Sequence, residues 1–178
     1  MKQIDLTLAK GAIFSDDGKY RYALWRVWND KPILNSIGLN SSTANANKED
    51  PTITRDIKRA YLSGFGGLIK TNLYGFVTPY PEELLGDGDF GHAVGEFNDY
   101  FLKQAIRLSA CHLCGWGSFK AAKLRAPYVL AMIAKPYCLG VNADGQPKHP
   151  LYVSYDTPMV RYHLERKEVN HATIRNDV

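Results

Sequence analysis

Residues 37–56 read IGLNSSTANANKEDPTITRD, and the change in polarity along them decides the fold. An apolar run stops at Asn40. Small polar residues follow, and Asp50-Pro51 then opens a segment in which Ile53, Ile57, Ala60 and Tyr61 recur at helical spacing while Arg55, Asp56, Lys58 and Arg59 point elsewhere. An aspartate can accept from the free backbone N–H groups at a helix start, and proline suits the first helical position. The stretch is therefore a strand feeding a helix through a polar connection.

The same alternation continues on both sides. Ser15-Asp16-Asp17-Gly18 reads as a hairpin turn between two early strands, the second being RYALWRVW at 21–28. Pro32 begins the strand that carries Ile33, Ile37 and Leu39 on one face. After the helix, which Ser63-Gly64 ends, GLIKTN at 67–72 is a further strand. A loop rich in Pro and Gly covers 77–95. Phe97, Phe101, Ala105 and Leu108 mark a second helix, 110–115 a buried strand, 121–134 a third helix that Pro127 starts or kinks, and 137–141 a last strand. Strands alternating with helices predict an α/β fold, a three-layer α/β/α sandwich around a central, mainly parallel sheet. Residues 1–164 form one domain of the 178-residue chain, and 165–178 a charged C-terminal tail.

Composition narrows the class. Hydrophobic residues make up 45% and charged residues 22%, the balance of a soluble globular protein, and the net charge of +4 permits an anionic partner without a dense basic stripe. No apolar run is long enough for a bilayer, and Met1-Lys2-Gln3-Ile4-Asp5 is not a signal peptide, so a cytoplasmic location and no membrane partner are expected. Cys111-His112-Leu113-Cys114 does not predict a metal site, because residues three apart on a strand face opposite ways and no second cysteine pair completes a set. Phosphate-loop, GxSxG and HExxH motifs are absent, and no cofactor is implied.

Ligands of open α/β sheets sit beyond the carboxyl ends of the strands. Four segments fall there: Asn40-Ser41-Ser42-Thr43, Asn72-Leu73-Tyr74, Trp116-Gly117-Ser118 and His149-Pro150-Leu151-Tyr152. Together they supply amides, hydroxyls, stacking rings and an imidazole, an inventory suited to a nucleobase or nucleotide. Arg55 is a candidate for a phosphate. Each also has a plain alternative: Asn40, Ser41 and Ser42 as turn residues, Asp50 as a cap, Trp116 as core, His149 as an exposed loop residue.

From about Gly11 to Tyr162 the chain resembles an uncharacterised bacterial and phage family, domain of unknown function 1643. The matching stretches are Arg21 to Trp28, Leu39 to Ala44, Asp50 to Arg55, Asn72-Leu73-Tyr74, Asn98-Asp99, Trp116-Gly117 and Pro147 to Tyr152. The order of motifs also resembles the uracil-DNA glycosylase superfamily, especially its mismatch-specific branch. Gly38-Leu39-Asn40-Ser41-Ser42 stands where that branch has Gly-Ile-Asn-Pro-Gly, and His149-Pro150-Leu151 where the superfamily has His-Pro-Ser. That likeness implies a nucleobase pocket and a glycosylase-like hydrolase acting on modified or mismatched DNA. Asn40 or Asp50 would position water, His149 would stabilise the departing base, and Ser41, Ser42, Thr43, Asn72, Tyr74, Trp116, Arg55 and Tyr152 would bind substrate. Ser41 in place of proline and Leu151 in place of serine depart from the pattern. A non-catalytic nucleotide or nucleic-acid binding module, and a phage-type enzyme that modifies a base, are the alternatives.

Overall fold

A computed structural model describes residues 2–42, 50–86 and 91–163. Among these residues seven strands form one sheet: β1 (Lys10–Phe14), β2 (Arg21–Val27), β3 (Ile33–Ser41), β4 (Gly67–Val77), β5 (Cys111–Cys114), β6 (Pro136–Cys138) and β7 (Val160–Arg161). Among the described residues the helices are α1 (Pro51–Leu62), α2 (Gly91–Val94), α3 (Asn98–Leu108) and α4 (Lys120–Leu130). The strand order is β1-β2-β4-β3-β5-β6-β7. Neighbours are parallel across β4-β3-β5-β6 and antiparallel at β1-β2, β2-β4 and β6-β7. The sheet is thus mixed rather than mainly parallel. The Ser15–Gly18 hairpin returns the chain antiparallel, β2 then pairs with β4 in the opposite sense, and the short β7 closes the far edge.

Local chemistry accounts for the elements. In the first hairpin Ser15 N–H donates to Tyr20 O (2.9 Å) and Gly18 N–H to Ser15 O (3.0 Å), while Asp17 Oδ1 accepts from Ser15 Oγ (2.6 Å). Asp50 caps α1, its Oδ1 accepting from Ile53 N–H at 2.8 Å, with Pro51 as the first helical residue. Such a cap contributes about 1 kcal/mol. Pro127 lies inside α4 rather than at its start, and the helix ends three residues later at Leu130.

Helices pack on both faces. Ala60 and Ile57 of α1 join Leu34, Leu68 and Leu113 on one side. Phe101 and Ala105 of α3 join Ile33 and Ile69 on the opposite side, and Ala122, Ala126 and Val129 of α4 join Ile37, Leu73 and Cys114 there. Cys111 and Cys114 accordingly sit in different layers, Cys111 against the α1 cluster and Cys114 within the α4 cluster. Among the described residues no helix is long and apolar enough to cross a membrane.

This topology makes a crevice. From β3 the chain goes to α1 and on to β4 at one side; it returns through α3 to β5 at the other side of β3, and β5 leads to α4 on the opposite face. The connections leaving β3 and β5 diverge to different faces, so the carboxyl ends of these two neighbours part, the position where open α/β sheets hold ligands.

Candidate functional site

The crevice contains a cavity of about 230 Å³. Its floor is Gly38 of β3, where an added Cβ would lie 2.7 Å from the Asn72 side-chain amide and 3.1 Å from Lys70 Nζ. Its walls include Asn40, Ser42, Asp50, Asn72, Trp116, His149 and Tyr152, brought from segments far apart in the chain.

Their environments differ. Asn40 Nδ2 donates to Thr78 O (2.8 Å) and Ser41 O (3.0 Å), and its Oδ1 has no partner among the described residues. Asp50 is a scaffold carboxylate: Oδ1 takes the Ile53 N–H and Oδ2 takes the Ser42 hydroxyl. Asn72 is buried, and its amide meets Ser41 Oγ at 2.9 Å; with the nitrogen turned to the carbonyls of Asn40 (3.3 Å) and Thr71 (3.0 Å), each of its polar atoms has a protein partner. Trp116 is fully buried, and its Nε1–H donates to Gln146 Oε1 (2.9 Å), so it is a rigid wall rather than an open stacking face. Tyr152 stands at the rim, 84% exposed, its ring centroid 5.8 Å from that of His149.

Three of the candidates lie elsewhere, and Thr43 falls outside the described residues. Ser41 is buried behind the cavity, its Oγ 2.9 Å from Arg21 O. Tyr74 belongs to the core beneath α4, where its hydroxyl donates to Ala121 O (2.9 Å) and burial pushes its pKa up to about 12. Tyr74 pairs with Asn40 in the same register that sets Asn72 opposite Gly38, and the β3–β4 register shifts only beyond that pair. Arg55 faces the C-terminal loop instead of a ligand: it donates to Pro150 O (3.2 Å) and Val153 O (2.6 Å), its guanidinium 4.4 Å from the Tyr155 ring centroid.

That loop is what delivers the imidazole. Arg59, one turn on, donates to the carbonyls of Val153 (3.1 Å), Ser154 (2.9 Å), Tyr155 (3.3 Å) and Thr157 (3.3 Å). From the opposite side Gly115 lets Pro150 approach, since a Cβ there would meet Pro150 Cδ at 2.7 Å and Cγ at 2.8 Å. Gly115→Ala should therefore push the loop outward and weaken any ligand at His149 by tenfold or more while leaving the strand pairing intact, which binding titrations alongside a circular-dichroism spectrum will check.

His149 is held neutral. Burial and the nearby Lys70 ammonium lower its pKa to about 4, against the pull of Asp56 and Asp50. Leu151 N–H donates to Nδ1 (3.3 Å). A neutral imidazole has one accepting nitrogen, so its proton is on Nε2, which has no protein partner among the described residues.

The charged residues beneath the cavity stand outside the candidates read from the sequence. Lys70 of β4 is 3% exposed and reaches Asp56 Oδ2 (2.8 Å) and Ser36 Oγ (3.1 Å), while Ser36 Oγ also donates to Asp56 Oδ2 (2.7 Å). Two of the three ammonium hydrogens are used, and the third has no partner among the described residues. Arg21 of β2 is buried at the same cavity; desolvation lowers its pKa to about 10 while Asp50 pulls it up. A lysine between Ile69 and Thr71 in an apolar strand was the signal for the first of these.

A family model covers residues 21–151 and therefore all of this site except Tyr152. The chain belongs to the family described as protein of unknown function (DUF1643). The matched segment of the DUF1643 protein begins at Arg21 and runs through His149 to Leu151, so the cavity lining apart from Tyr152 lies inside it. Neither the curated proteins nor the solved structures yield a significant match.

Proposed function

We propose that the cavity receives a nucleobase and that this DUF1643 protein is a glycosylase-like hydrolase acting at the N-glycosidic bond of a modified or mismatched base in DNA. The observation that carries the reading is the pair of open hydrogen-bonding groups on one small cavity: the Nε2–H of a neutral His149 and the Oδ1 of Asn40. A donor and an acceptor in a slot of this size match the rim of a heterocycle, and the parallel strands with helices on both faces support a sandwich like that of the uracil-DNA glycosylases. In the reaction the C1′–N bond breaks with its electron pair passing to the base, water adds to C1′, and the products are free base and an abasic sugar. His149 donates to the base oxygen on which negative charge grows, with the Lys70 ammonium below it. Asn40 orients water or the base edge. Asp50 ties Ser42, just beyond the end of β3, to the start of α1.

The test is base release from oligonucleotides carrying uracil, hydroxymethyluracil and other altered or mismatched bases. Release is expected for at least one of them, with His149→Gln slower by roughly 10²–10³, the range of a lost charge-stabilising donor. No release from any substrate at high protein concentration overturns the enzyme.

A binding module is the second reading, and one observation favours it. Both oxygens of Asp50 are engaged, and Asn72 is satisfied by the protein, so neither is poised as a base toward water. Base-specific binding lost in His149→Gln, with no product under any condition, selects this reading.

A further inference from the structure

A second cavity of about 450 Å³ adjoins the first and shares with it His149, Phe119 and Tyr152. The remainder of its lining includes Gly117, Ser118, Asn142 and Lys148. The two shared aromatic rings are exposed, Phe119 by 41% and Tyr152 by 84%. Lys148 is exposed as well and makes no ion pair among the described residues. Size makes the pair of cavities informative. The first, at about 230 Å³, falls below the range of roughly 300–1,000 Å³ typical of sites for drug-sized ligands. It suits a single ring, so the sugar and phosphate attached to that ring must lie outside it.

We infer that the protein takes its base as part of a polynucleotide strand: the neighbouring nucleotide lies in the second cavity, its ring against Tyr152 and Phe119 and the linking phosphate beside Lys148. This rests on the nucleobase reading of the first cavity. The chemistry is that of single-strand recognition, in which aromatic side chains stack on bases without reading their sequence and a cation follows the backbone. An exposed tyrosine and phenylalanine on one cavity with a lysine that has no ion pair among the described residues supply those parts, and the His149 loop forms the wall between the two rings.

The experiment is a titration of the whole chain with nucleosides, their 3′- and 5′-mononucleotides, and the matching dinucleoside monophosphates, for each common base and for uracil. A dinucleoside monophosphate should bind at least tenfold more tightly than its nucleoside. Lys148→Gln should weaken binding of the dinucleoside monophosphate about threefold or more at low ionic strength, where a single exposed charge pair is least screened, leaving nucleoside affinity within twofold. Tyr152→Ala should reduce the dinucleotide advantage; this side chain is exposed, so the fold is not at risk. Equal affinity for nucleoside and dinucleotide, or a dinucleotide affinity that Lys148→Gln leaves unchanged, overturns the inference while leaving the base site standing. If no nucleoside binds, or if binding persists unchanged when Gly38→Val fills the floor of the first cavity, the nucleobase reading itself fails and takes this inference with it.

Discussion

Lys70→Met should cost roughly 3–5 kcal/mol of folding stability, the penalty for leaving a buried charge without its partner. Asp56 is fully buried under α1; its Oδ2 holds Lys70 and Ser36, and its Oδ1 has no hydrogen-bond partner among the described residues. With the ammonium gone, Ser36 alone would face that carboxylate. The double variant Lys70→Met/Asp56→Leu removes both charges, and buried ion pairs replaced by apolar residues of similar volume are often neutral or stabilising. Most of the loss should therefore return. Urea denaturation of the two variants and the parent measures this. A single variant as stable as the parent would show that Lys70 and Asp56 are not paired in the folded protein. The double variant also separates roles, because a folded protein lacking Lys70 can be assayed for the charge stabilisation assigned to it.

The second large effect is on pH. His149 has a folded pKa of about 4 against an ordinary value of 6.5, so between these values the unfolded chain binds more protons than the folded one. Stability contributed by the neutral ring is complete above pH 6.5 and is lost as pH falls toward 4. The loss approaches about 3 kcal/mol, because a tenfold difference in proton affinity between folded and unfolded chain corresponds to about 1.4 kcal/mol. His112, whose pKa burial also lowers, adds a contribution of the same sign, so the comparison is with His149→Gln. The variant should show a flatter stability profile from pH 7 to pH 4. A titration of the imidazole signals by NMR gives the midpoint directly. A midpoint near 6.5 would mean that the ring is hydrated and charged in mild acid, and the neutral Nε2–H donor would be lost from the site.

Much of this arrangement could be read from residue order, for identifiable reasons. Turn and cap chemistry act locally, so Ser15–Gly18 and Asp50-Pro51 announced a hairpin and a helix start that the structure contains. Convergence of Asn40, Ser42, Asp50, Asn72, Trp116, His149 and Tyr152 on one cavity followed from a rule of topology, that the ends of parallel strands gather ligands. What stayed hidden depends on distant partners. The direction in which β2 pairs with β4 leaves no mark on either strand's alternation, and β7 is too short to have a pattern. Tyr74 is anchored in the core by its hydroxyl bond to Ala121 O, a partner 47 residues downstream that its own strand does not reveal. Arg55 resembled a phosphate ligand because nothing near it in sequence reveals that its acceptors are carbonyls beyond residue 149. Lys70 was legible and passed over: a charged residue in a buried strand requires a partner, and Asp56 stands one helix earlier.

The arginine clamp dictates when the site comes into being. Arg55 and Arg59 sit early in the chain, yet the carbonyls they hold lie 94 to 98 residues downstream. As the polypeptide leaves the ribosome, β1 to β5 and their helices can assemble first, with an open gap where the imidazole belongs. Only when residues 149–157 emerge and snap onto α1 is the slot closed. A chain cut short before residue 149 therefore lacks the wall that carries the imidazole.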